Sequence, residues 1–108
     1  MVWVCHVCLL RPKSTGEVTL NSNDAFDSPK IDPKFFSERE DMDIMIKGYR
    51  KMMQIMDAEP LRPFTRKVQD PVDINSDTDI EAAMRARADT VYHPVGTCKM
   101  GSDDMAVV

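Results

Sequence analysis

Glycine is scarce in this chain of 108 residues, and the four glycines, at positions 16, 48, 96 and 101, nowhere make the G-x-G-x-x-G spacing. That absence excludes a dinucleotide-binding turn, in which glycines let the backbone approach a pyrophosphate at a helix N-terminus. No run of about 18 apolar residues occurs, so no segment reads as a transmembrane helix. The apolar start, "MVWVCHVCLL", has no basic leader region and no small-residue cleavage site, and Arg11-Pro12-Lys13 stands where that site would fall. Basic residues are outnumbered, 14 to 18, for a net charge of −4, and they do not cluster, which excludes a phosphate-backbone partner such as nucleic acid. Cysteines number three; an odd count beside nine methionines, with no secretory leader, points to a reducing, cytoplasmic compartment.

What is present suits a small folded domain. Apolar residues make up 43%, close to ordinary globular usage, and charged residues 30%, a little above it. Residues 2–10 are β-branched, aromatic and apolar on both alternating faces, the pattern of a strand covered on both sides. Ser14-Thr15-Gly16 reads as a turn and "EVTL" at 17–20 as a second strand, so 2–20 is expected to be a hairpin. Residues 21–36, rich in Asn, Asp, Ser and Pro, read as an irregular loop.

Ser37-Glu38-Arg39-Glu40 has capping-box spacing, and Met42, Met45, Tyr49, Met52, Met53 and Met56 follow as one stripe of a 3.6-residue period. The pattern predicts a helix over about 38–57, ended by Pro60, with core packing as the role of the stripe and a flexible binding groove as the alternative. Gly48 inside it is either a close-packing position or neutral. Ser76, Asp77 and Thr78 offer cap oxygens before "IEAAMRARA", predicting a second helix over about 78–89. The fold class expected is α+β, antiparallel strands against two helices.

Two constellations could carry chemistry. Cys5 and Cys8 form a C-x-x-C pair, but on a strand they point to opposite faces, so they and His6 are expected to be buried structural residues. A zinc site from Cys5, Cys8, Cys98 and His93 is the competing reading. The second constellation is "TVYHPVGTCKMG" at 90–101. Pro94 keeps His93 out of the α region and so helps aim its ring. Imidazole as a class titrates near pH 6.5, so it can accept a proton at neutral pH. Gly96 and Gly101 allow positive φ or a close backbone approach. A surface histidine in a turn is the plain alternative.

"HPVGTCKMG", followed by Asp and "AVV", resembles the C-terminal signature of the glucose-methanol-choline (GMC) oxidoreductases, flavin-dependent enzymes that oxidise alcohols. "CHVCLLRPKSTGEVTLNSNDAFDSPKIDPKFFSERED" resembles the segment that opens that C-terminal region, so the likeness runs over essentially all of 1–108, nearest to the choline and alcohol dehydrogenase branch. The resemblance implies a fragment of the substrate domain, with the FAD-binding domain absent. It implies His93 as the base for the alcohol proton, FAD as the cofactor of the parent protein, and a small alcohol as substrate. The second histidine or asparagine of the family site would lie beyond Val108. The expectations that follow are an isolated chain that neither retains FAD nor oxidises alcohols, and strand edges left open to self-association. Membrane association of the parent stays open. A stand-alone protein-interaction module is the alternative function.

Overall fold

The structure, a computed structural model, describes residues 4–108. Its elements run β1 (Glu17–Thr19), β2 (Lys30–Asp32), α1 (Arg39–Met56), a single 3-10 turn (Arg62–Phe64) and α2 (Asp77–Arg87), an α+β arrangement. The chain divides into two compact units: the described part of Met1–Leu10 with Met42–Ala88, and Arg11–Asp41 with Asp89–Val108.

The helical unit follows its sequence pattern closely. The methionine stripe predicts α1 to within a residue at each end, and it marks the less exposed side: Met42 is buried, and Met45, Tyr49, Met52, Met53 and Met56 are half-buried. Ile46, one turn on from Met42, is buried beside that stripe, while Ile44 and Ile55 are exposed. Ser76 caps α2, its Oγ accepting the Asp79 N–H at 3.2 Å. Asp77 and Asp79 lie at the positive end of α2, and Arg85 and Arg87 at the negative end. The buried apolar side chains are Met42, Ile46, Ile80 and Met84, each adding about 1.5–3 kcal/mol when removed from water. Arg50 of α1 ties the start of α2 down, donating from Nε to the Ile74 carbonyl at 2.8 Å and pairing through Nη2 with Asp77 at 2.6 Å. Gly48 proves to be a close-packing position, since a methyl group there would stand 2.6 Å from Val7 Cγ1.

The first strand expectation fails. Residues 2 and 3 lie outside the described residues, and residues 4–10 form no strand. An apolar run signals a need for burial without naming what supplies it, and here the described part of the run lacks a β partner. β1 pairs instead with β2, antiparallel, in the register Glu17↔Asp32, Val18↔Ile31 and Thr19↔Lys30. The hairpin therefore spans 17–32, and the stretch read as irregular loop contains its second strand. Gly16 fixes how the two strands meet: a methyl there would overlap the Asp32 carbonyl oxygen and lie 2.5 Å from the carbonyl carbon of Pro33. Among the described residues no helix is long and apolar enough to cross a membrane.

Candidate functional site

The loop from Asp89 to Val108 holds the signature stretch, and its backbone is bound at several points. Thr90 starts a turn in which the His93 N–H donates to the Thr90 carbonyl at 3.0 Å and the Tyr92 N–H to Thr90 Oγ1 at 3.1 Å. Both central residues have positive φ, 52° at Val91 and 62° at Tyr92. That combination marks a type I′ turn, normally built from Asn and Gly. A β-branched and an aromatic residue in this region cost on the order of 1–3 kcal/mol each, a strain that persists only where surrounding contacts impose it. Tyr92 is 94% exposed, so no burial of its ring offsets the cost. His93, the last residue of the turn, is exposed as well.

Three residues further on, Gly96 has φ 95°, and its carbonyl accepts the Gly16 N–H at 2.9 Å. A methyl at Gly96 would lie 3.0 Å from the Ser14 carbonyl oxygen. Glycine at 16 and at 96 lets the 14–16 segment and the signature loop approach backbone to backbone. Beyond Gly96 the loop closes on itself: the Val107 N–H reaches the Lys99 carbonyl at 3.0 Å and the Gly101 N–H the Val108 carbonyl at 3.1 Å. Asp103 organises that closure, pairing with Lys99 Nζ at 2.5 Å and accepting the Met105 N–H at 2.9 Å. The Lys99 hydrogen bond is the main reason the Asp103 carboxyl titrates below its ordinary range.

The segment that receives Gly96 is anchored by a buried carboxylate that the sequence reading missed. Asp41, 1% exposed in the first turns of α1, accepts the Lys13 N–H on Oδ1 at 2.9 Å and both the N–H and the hydroxyl of Ser14 on Oδ2, at 2.8 and 2.5 Å. Ser14, 4% exposed, accepts the Glu38 N–H on its Oγ at 3.1 Å, satisfying a donor at the entry of α1. Burial pushes the Asp41 carboxyl upward, but hydrogen bonds from the Lys13 and Ser14 backbone and the Ser14 hydroxyl outweigh it, and its pKa lies below the usual carboxylate value. Lys13 Nζ pairs with Glu40 at 2.8 Å, and that hydrogen bond raises the lysine. Twenty-seven residues separate Ser14 from Asp41, so no local pattern signals the pair.

The cysteine expectation is overturned. Cys5, Cys8 and Cys98 are all exposed and free, and His6 is exposed too. The expected burial of Cys5, Cys8 and His6 went with a strand that residues 4–10 do not form. Among the described residues no group of three or more His, Cys, Asp and Glu side chains could hold a metal ion.

A family model described as GMC oxidoreductase matches residues 12–108. The chain is 42% identical over 107 residues to alcohol dehydrogenase [acceptor] from Pseudomonas putida, covering 98% of this chain and 19% of the relative. It is 37% identical over 105 residues to oxygen-dependent choline dehydrogenase from Cronobacter sakazakii, covering 96% and 19%. An uncharacterized GMC-type oxidoreductase from Mycobacterium tuberculosis is 36% identical over 104 residues, covering 93% and 20%. The chain thus spans about a fifth of the length of these curated relatives. No solved structure matches it.

These relatives raise the question of FAD. A pyrophosphate cradle needs free backbone N–H groups beside glycine at a helix N-terminus. Here the Gly16 N–H is engaged by Gly96, and Gly48 faces Val7 from the middle of α1. The described glycines do not form that cradle, and the residues of this chain do not by themselves fit the pyrophosphate of FAD.

Proposed function

The chain belongs to the GMC oxidoreductase family, and on that premise we propose that it is the alcohol-facing part of an FAD-dependent oxidoreductase, with His93 as the base for the substrate hydroxyl. The observation that carries the reading is the position of His93: an exposed imidazole inside the signature loop, between a turn closed at Thr90 and a backbone anchor at Gly96. An exposed ring on a bound backbone suits a base that must meet its substrate in one orientation.

His93 accepts the hydroxyl proton on a ring nitrogen. The O–H bonding pair becomes the second bond of the new carbonyl, and the C–H bond releases its pair with the hydrogen as hydride. FAD, held by residues other than these, would supply the hydride acceptor. Taking the proton as the hydride leaves avoids a full positive charge on the carbonyl oxygen, and general-base help of this kind is worth about 10² to 10⁴ in rate. The substrate class is a small alcohol, aliphatic or choline-like, in keeping with the names of the relatives.

The test is a chimera in which this chain replaces the matching region of the Pseudomonas putida relative. Alcohol-dependent dye reduction is expected, with His93→Ala slowing it by about 10² to 10⁴ while the flavin absorbance stays. A His93→Ala chimera that keeps its flavin and its full rate would falsify the assignment. The isolated chain mixed with FAD is expected to lose the flavin on gel filtration.

A further inference from the structure

We propose that Asp41 and Ser14 are positioning residues for the His93 loop, acting through a relay in which Asp41 holds Ser14 by hydrogen bonds, the backbone carries on to Gly16, and Gly16 is hydrogen-bonded to Gly96. This inference rests on the reading of His93 as the base; the relay itself is a matter of geometry and can be tested without turnover. Each link has its own observation. The Asp41 carboxylate is buried and takes three donors from two consecutive residues, which fixes the Lys13–Ser14 backbone. Gly16, two residues on, donates its N–H to the Gly96 carbonyl at 2.9 Å. Only Pro94 and Val95 separate Gly96 from His93, and proline removes freedom from that short span. On the other side, the Thr90–His93 turn holds Val91 and Tyr92 at positive φ although Tyr92 is exposed. Something beyond the packing of those side chains keeps the backbone there, and the anchor at Gly96 is the hydrogen-bonded contact that follows in the chain.

Lys13 is a charged group that acts on Asp41; its Nζ is held by Glu40, and Glu38 acts on it as well. The Ser14 hydroxyl is engaged both ways, donating to Asp41 and accepting from Glu38. Replacing Asp41 by asparagine turns one of two acceptor oxygens into a donor and must break part of this set.

The experiment is NMR on the 108-residue chain, comparing wild type with Asp41→Asn, Ser14→Ala and Ser14→Thr. The Gly16 amide is expected to exchange at least tenfold faster in Asp41→Asn and Ser14→Ala, and the His93 ring signals to shift, while the Ile80 and Met84 methyl signals stay. Ser14→Thr, which keeps the hydroxyl, is expected to restore both. On acidification the wild-type Gly16 and Gly96 amides should move in one step below the range of exposed carboxylates, a step missing in Asp41→Asn. Unchanged Gly16 exchange and His93 signals in a folded Ser14→Ala would overturn the proposal. So would their loss together with the Ile80 and Met84 methyls, since Asp41 and Ser14 would then only support the fold. Should Asp41→Asn not fold, the alanine and threonine pair at Ser14 decides by the same criteria. In the chimera, Asp41→Asn should lower kcat by 10- to 100-fold with KM and flavin absorbance little changed. An inactive wild-type chimera, or an active His93→Ala one, counts against the proposed function and leaves the NMR result standing.

Discussion

Among the described residues the two compact units are organised by opposite chemistry. All four buried apolar side chains, Met42, Ile46, Ile80 and Met84, belong to the helical unit, whereas both buried polar ones, Ser14 and Asp41, belong to the unit that carries the signature loop. Apolar burial is non-directional and tolerates small shifts. A carboxylate with three donors demands particular positions of particular atoms. The unit expected to align a reacting group is thus the one ordered by directional bonds.

The comparison breaks if the helical unit withstands loss of apolar bulk. Ile80→Ala, at a fully buried site, is expected to cost about 2–5 kcal/mol in denaturant unfolding, the largest single effect among these substitutions. Asp41→Ala should cost less, about 1–3 kcal/mol, by leaving the Lys13 and Ser14 N–H groups without their acceptor. Acid sharpens the contrast. The folded pKa of Asp41 lies below its unfolded value, so its stabilisation is complete above about pH 3.9 and fades as pH falls through the folded value. The protection factor of the Gly16 amide, measured against its intrinsic exchange rate at each pH, should therefore fall with acidification before those in α2 do.

Smaller effects follow at the glycine and turn positions. Gly48→Ala gains about 1 kcal/mol in helix propensity but forces a methyl against Val7, for a net loss of about 1 kcal/mol by thermal unfolding. Combining it with Val7→Ala should remove that loss. The double change Val91→Asn, Tyr92→Gly, which suits the turn, should stabilise the chain by about 1 kcal/mol.

The helices were legible in the sequence because period and caps are local: the methionine stripe and Ser76 mark α1 and α2 almost to the residue. β2 was not, since Lys30-Ile31-Asp32 sits between two prolines and is too short to show alternation. The run at 2–10 misled because hydrophobicity records a demand for burial, and no residue in it tells a strand from an extended segment. His93 is singled out as the proposed base by its motif alone. Ser14 and Asp41 were hidden by their separation in sequence: serine in a turn and aspartate in a first helical turn each have a sufficient local explanation.

The contorted dipeptide ahead of His93 has an evolutionary corollary. A campaign selecting heat tolerance alone should find Val91 and Tyr92 early, because relaxing them gives stability at little packing cost. Selection for turnover should reverse those same changes, so the two lineages would diverge first at this pair.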